Sequence, residues 1–430
     1  MPGLIAFFTR IFSRRFRASK KFLILPPQTD FDIDPTTGFL PPEPLPRLSG
    51  RYKIWENALA EASGVLKLGD DVSEEALALR SEGESWRAHM RSIRFLDIQP
   101  LVDQQRLLQR AHVVLTWLVQ YYVHSLPHVL SPGPKEIPES IAVPLVRISR
   151  ILGISPVITF SDTVTWNWDL LHPEKPVTID NMTIIHSFSG TDDERHFYQV
   201  QAAIELHGSQ LLGIITSYNG ISITDDSAST IVKIARDLGS MAEIIEEMND
   251  LIRSIRDGCD PYVFYWDMRP WYNGIDAKGP SDPGWIYEGV DPAAPELQYL
   301  SGPSGCSSRV HGRMRMYMLG KHREYLQHLE KSTFSLRDFA QRVPTLREPY
   351  NDAVTALKKL RSAHMRIATQ YIIDMAQTTS PRAASRPVSE SNEQEIDVER
   401  SVLGTGGTQI AVLLKAGIDA TTRAALRNLP

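Results

Sequence analysis

Residues 348–377 (EPYNDAVTALKKLRSAHMRIATQYIIDMAQ) constrain this chain more than any other stretch. Val354, Leu357, Leu360, Ile367, Tyr371 and Met375 recur at three- and four-residue steps, the spacing of one helical face. His364 falls on that face one turn beyond Leu360, while Lys358, Lys359, Arg366 and Asp374 lie opposite. Pro349 suits a first turn and no glycine interrupts the run, so the pattern predicts one helix holding an imidazole at a fixed depth in a helical core. A buried imidazole needs a partner, either an ordinary hydrogen bond or a metal, and the periodicity leaves both open. Haem iron asks for a single neutral imidazole on a rigid helix, and Arg361, one turn earlier, stands where a propionate could pair with it. By itself Arg361 reads equally as a solvated helix charge.

A chain of 430 residues can bury a large core and supply two domains of ordinary size. Its 46 basic and 51 acidic residues, net charge −5, leave no basic excess for nucleic acid. Cys259 and Cys306, the two cysteines, are too few for a cysteine-rich zinc site and read as free thiols in a reducing compartment. No apolar run has the roughly 18 to 20 residues a membrane-spanning helix requires, so no membrane partner is expected. Residues 1–29 carry Arg10, Arg14, Arg15, Arg17, Lys20 and Lys21 among Ile5, Phe8, Ile11 and Phe12, with no acid before Asp30. That composition fits a mitochondrial transit peptide or a basic tail on a cytoplasmic protein; on either reading the segment stays out of the core.

The remaining pattern is mostly helical. Residues 30–48 are proline-rich and read as an extended lead-in. Apolar spacing then predicts helices over 51–67, 73–95, 99–124, 141–154, 159–171, about 192–218 and 230–256, with 181–188 short and extended. Residues 276–306 form a long irregular stretch of the kind that binds something. Residues 378–403 are polar and read as a flexible loop, before the glycine-rich turn 404–408 (GTGGT) opens a final helix. That turn leaves backbone N–H groups free for an anion but lacks the lysine of a phosphate-binding loop.

Four separated pieces occur in order: SFSGTDDERHFY at 187–198, DPYVFYWDMRPW at 260–271, SGPSGCSS at 301–308, and LRSAH at 360–364 followed by GTGGT at 404–408. With IAVP at 141–144, YEG at 287–289 and MRMYMLGKHREYL at 314–326, they resemble the indoleamine 2,3-dioxygenase family from about Phe31 onward. The resemblance implies an all-α fold, with a small helical domain (30–188) packed on a larger haem-binding one (189–430). It also implies a monomer that uses haem b to insert both atoms of O2 across the indole C2–C3 bond of L-tryptophan. The product would be N-formylkynurenine, on the route toward NAD.

His364 matches the family's proximal iron ligand, and Arg361 its propionate partner. Arg269 matches the arginine that grips the substrate carboxylate, a task suited to the forked guanidinium. Phe264 and Tyr265 match the aromatics beside the indole, Thr405 a residue at the amino-acid end of the substrate, and Phe160, Thr163 and Val164 the distal lining. Phe197 and Tyr198 match the aromatic pair beside the distal site; Gly302 and Ser304 match a loop near haem and substrate. Without the resemblance, Phe160, Val164, Phe197, Phe264 and Tyr265 read as packing residues and Arg269 as a surface ion pair.

Three departures follow. Between 308 and 314 roughly 20 residues of the family pattern, a helix of about 30 Å, are missing. Gln201 replaces a small serine near the bound oxygen, and Pro303 replaces a small or hydroxyl-bearing residue. The gap raises a second reading, a haem-binding or ligand-binding relic with impaired catalysis.

Overall fold

A computed structural model of the chain describes Phe12 and residues 26–127, 133–222, 224–275, 284–298, 300, 315–331, 334–380 and 410–426. The longer helices are α1 (Lys53–Val65), α2 (Arg80–Ser92), α3 (Gln105–His124), α4 (Glu139–Leu152), α5 (Asp192–Thr216), α6 (Ala228–Arg253), α7 (Gly320–Lys331), α8 (Arg347–Ala368) and α9 (Ile410–Ala424). Two short ribbons are the only β pairings between strands among the described residues. The strands are β1 (Lys135–Ile137), β2 (Trp168–Leu170), β3 (Met182–Ile184) and β4 (Trp285–Tyr287); β1 runs parallel to β4, and β2 antiparallel to β3. The fold is all-α, as the helical periodicities require.

Two hydrophobic clusters organise it. The first is built around α3, buried along its whole circumference over residues 108–123, with α1 and α4 against it. A helix apolar on every side has no solvent face to offer, so it must be central. The second is built on α8, whose most extensive partner is α6 and whose next is α9. α5 touches both, sending Tyr198 and Ala202 into the first cluster and Val200, Ile204, Leu211 and Leu212 into the second. Its start is well specified: the Thr191 hydroxyl accepts from the Glu194 N–H, and Asp192, Asp193 and Glu194 place negative charge at the helix N-terminus. Gly153, at φ 64°, ends α4 in the left-handed conformation that glycine adopts without a Cβ penalty.

Several sequence expectations need correction. The helix expected over 159–171 is absent. A π-helical turn, Ser161–Thr165, gives way to β2, because the Asp162 carboxylate takes the Thr159 N–H and hydroxyl, and the β-branched and aromatic residues that follow pair with β3. Residues 73–95 form two helices, Glu74–Ala78 and α2, rather than one. Residues 348–377 stay helical throughout but change winding: α8 ends at Ala368, a π segment covers Thr369–Asp374, and a 3-10 turn covers Met375–Gln377. Nor does the N-terminal segment stay out of the core. Phe12 is buried in the second cluster, its ring 5.8 Å from that of Tyr350, and its carbonyl accepts from the Tyr350 hydroxyl. Of the stretch expected to be irregular, 284–298 and 300 are described and include β4 and a helical turn, Pro295–Gln298, while 276–283, 299, 301–306 and the loop from 381 to 403 lie outside the described residues. No helix among the described residues is long and apolar enough to cross a membrane.

Candidate functional site

Four pieces of chain meet where the two clusters adjoin. They are the turn Ser161–Thr165, the first half of α5, the segment Phe264–Met268 with the 3-10 turn Arg269–Tyr272, and the C-terminal end of α8 with its continuation Thr369–Asp374. α5 packs on the first and third of these, and the third packs on the continuation of α8. Three of these pieces carry π-helical winding, and no other described segment does. An extra residue in a turn re-aims the side chains after it, and such bulges concentrate at functional sites. Periodicity gave no sign of them; the nearest signal was the aromatic crowding of FYWDM.

His364, on the last turn of α8, is the unusual imidazole. Burial, with the Arg361 charge adding to it, pushes its pKa down to about 4, so the ring is neutral near pH 7. Protein therefore surrounds it closely, yet the residue keeps part of its surface accessible, and among the described residues no hydrogen bond reaches either nitrogen. The ring is thus neutral and half-buried, with its nitrogens unengaged by the described protein. The other enclosed histidines differ: His112, His186 and His322 each bond through a ring nitrogen. Among the described residues no three His, Cys, Asp or Glu side chains converge as a metal cage. A porphyrin does not need one, since its iron takes a single axial imidazole from the protein. A neutral nitrogen with no hydrogen-bond partner on a helix end suits that role.

Arg361 lies one turn before His364 and is buried, which lowers its pKa to about 10. Its guanidinium rests against Gly417 of α9, where a Cβ would collide with Nη1. The charge thus sits buried at the contact between α8 and α9, and the reading of Arg361 as a solvated helix charge is overturned.

Aromatic rings link α8 to the rest of the site. Tyr371 meets Phe264 edge-on at 5.6 Å, and Phe264 meets Phe197 of α5 at 5.0 Å. Arg269 lies over the Tyr265 ring at 5.1 Å and is half-buried, with desolvation lowering its pKa. The segment that bears Arg269 is tied to α5 through Tyr272, whose hydroxyl lies 2.7 Å from that of Tyr198. Both hydroxyls donate to the fully buried Glu194 carboxylate, at 3.0 and 2.8 Å, which also accepts from the Phe188 and Ser189 N–H groups. The sequence pattern alone does not single out Glu194, whose partners Tyr272 and Phe188 meet it only in the fold.

On the first cluster's side Val164 is fully buried, while Phe160 and Thr163 are half-buried. The Gln201 amide turns back to donate to the Phe197 carbonyl at 3.3 Å, which keeps it along its own helix. Phe197 packs against both clusters, at their seam. Thr405, Gly302, Pro303 and Ser304 lie outside the described residues.

The fold and site define the class first: an all-α protein whose site opens between two helical cores, with a neutral imidazole at the end of the helix that centres one of them. The chain belongs to the indoleamine 2,3-dioxygenase family, whose sequence profile matches residues 27–312 and 306–424. It is accordingly a dioxygenase, an oxidoreductase of a haem-using family. It is 28% identical to mouse indoleamine 2,3-dioxygenase 2, over 92% of this chain and 95% of the relative. It is 27% identical to the indoleamine 2,3-dioxygenase of Saccharomyces cerevisiae, over 93% and 94%. A 6-hydroxytryptophan 2,3-dioxygenase of Fusarium equiseti is 26% identical over 90% and 94%. The mouse alignment has 419 positions, to which 92% of 430 residues, about 396, are contributed by this chain, so about 23 positions have no counterpart here. The family profile breaks into its two matches at 306–312, the place where the motifs leave too little sequence.

Proposed function

We propose that this chain binds haem b through His364 and uses O2 to cleave the indole C2–C3 bond of L-tryptophan, giving N-formylkynurenine, the first step of a route toward NAD. The observation that carries the reading is His364: neutral, enclosed, without a described hydrogen bond, and fixed on the end of α8. When bound, haem supplies the oxygen chemistry that no side chain here offers. The protein's part is to ligate, orient and keep water out.

In this reading Arg361, delivered by the Gly417 contact, neutralises a propionate, and Val164 and Phe197 pack on the haem. Arg269 takes the substrate carboxylate in a two-pronged grip, and Tyr265, stacked on the guanidinium, fixes its plane. Phe264 and Phe160 wall the indole. Thr405, Gly302 and Ser304 are assigned to substrate and haem on resemblance. The chain divides near residue 188 into a smaller unit and a haem-binding one, with the site at their seam, a common place for a cofactor.

A second reading is favoured by the shortened connector at 306–312: a protein that keeps the imidazole and the cleft but turns over poorly because a wall is missing. The relative named for 6-hydroxytryptophan makes a ring-substituted indole a further substrate to try. The test is to load the protein with hemin, reduce it without air, add L-tryptophan and admit O2. N-formylkynurenine in excess over protein supports the enzyme. A haem spectrum without product supports the second reading, and no bound haem refutes both.

A further inference from the structure

The turn Ser161–Thr165 is held from behind by an arrangement that belongs to no role assigned above. Asp162 is completely buried. Its Oδ2 accepts from the Thr159 N–H at 2.8 Å and the Thr159 hydroxyl at 2.7 Å, and its backbone carbonyl accepts from Trp117 Nε1 at 3.0 Å. Its Oδ1 lies 2.7 Å from Nδ1 of His112, on α3, which is also completely buried. The other ring nitrogen, Nε2, lies 3.2 Å from the Ser155 carbonyl oxygen.

Both nitrogens of His112 therefore face acceptors. A neutral imidazole carries one N–H and would aim its other lone pair at an oxygen, an unsatisfied contact in a buried site; the doubly protonated ring satisfies both. Asp162, already accepting twice from Thr159, is suited to the ionised form. Ser155 extends the chain of contacts, donating its N–H and its hydroxyl to the Met316 carbonyl at 3.1 and 3.0 Å. Met316 follows closely on 306–312, where the two matches of the family profile overlap.

We propose that His112 and Asp162 form a buried imidazolium–carboxylate brace that positions the turn carrying Thr163 and Val164, with Phe160 beside it, and ties that turn through Ser155 to the Met316 backbone ahead of α7. The two are positioning residues, acting through the turn and not on substrate. The proposal rests on the functional reading above only in taking the turn as a wall of the substrate pocket; the charged pair itself is a property of the chain without haem.

The test has two arms. In haem-free protein labelled with nitrogen-15 at histidine, the His112 ring is expected to show two protonated nitrogens at neutral pH, and a neutral ring in Asp162→Asn; a neutral ring in the unsubstituted protein overturns the brace. In hemin-loaded protein, Asp162→Asn is expected to keep the His364-dependent spectrum while KM for tryptophan rises about tenfold and cyanide affinity of the ferric form changes. If haem content and melting temperature fall together while KM and cyanide affinity of the folded fraction stay as before, the pair is merely structural and the positioning role is refuted. Should Asp162→Asn fail to fold, Thr159→Val removes one bond to the carboxylate and leaves the charges. It is expected to raise KM about threefold, and an unchanged KM counts against the proposal. If unsubstituted protein shows no His364-dependent haem band, the functional reading fails, and the nitrogen spectrum still decides the brace.

Discussion

The two cores bury histidine in opposite ways. Around α3 every ring nitrogen of His112 has an acceptor, and the neighbouring His186 lies 3.0 Å from the Arg110 guanidinium, with burial and then Arg110 holding its pKa well below 6.5. At the end of α8, His364 is enclosed without a described hydrogen bond. His322 stands between the extremes, its Nε2 3.0 Å from the Asp32 carbonyl oxygen. Leaving a buried polar group unpaired costs roughly 1–3 kcal/mol, so the unengaged ring of His364 stands apart from the bonded rings of His112, His186 and His322.

The largest effect that sharpens this comparison belongs to the α3 core. Arg110, completely buried, grips both Glu56 oxygens at 2.7 and 2.6 Å. Burial opposes ionisation of Glu56, but Arg110 outweighs it and lowers the pKa. Glu56→Ala strands the guanidinium and should cost about 3–5 kcal/mol in a denaturant titration. A loss below about 1 kcal/mol would place the pair among weak surface bridges.

His322 gives the next effect. Burial, only partly offset by Asp32, pushes its pKa down to about 4 from the usual 6.5. The unfolded chain therefore binds a proton that the folded chain refuses between those values. Stability from this group is complete above pH 6.5 and is lost as pH falls toward 4, by about 3 kcal/mol in all. His322→Gln keeps a donor for the Asp32 carbonyl and should flatten that acid limb; an unchanged slope would assign it to other groups.

At the open site, Arg269→Ala should raise KM for tryptophan about 10- to 100-fold, the loss of a charge-assisted pair worth about 1.5–3 kcal/mol, with haem content unchanged. Loss of haem instead would mean that Arg269 serves the cofactor or the fold. The smallest effect is Gly417→Ala, which forces Arg361 aside at about 1–2 kcal/mol. It should weaken hemin retention without removing the His364 band, and undiminished retention would detach Arg361 from the haem.

Much of this arrangement was legible in the chain. The stripe of α8, the cap at Thr191 and the acidic turn after it give helices where spacing and charge demand them, and the family motifs singled out His364, Arg361 and Arg269. What escaped has a common cause. The winding at Ser161–Thr165, Phe264–Met268 and Thr369–Asp374 lies where tertiary partners meet it, such as His112 and Trp117 on Asp162, which local spacing does not encode. The burial of Phe12 against Tyr350 and the meeting of Tyr272 with Glu194 and Tyr198 are contacts between residues far apart in sequence, seen only once the helices are assembled.

The central claim is that the neutral imidazole of His364 is open because it ligates iron. Its most direct test is the absorption spectrum of the purified protein supplied with hemin, beside that of His364→Ala and His322→Gln. The account predicts a stoichiometric haem band in the unsubstituted protein and in His322→Gln, and its loss in folded His364→Ala. An unaltered band in His364→Ala would contradict it.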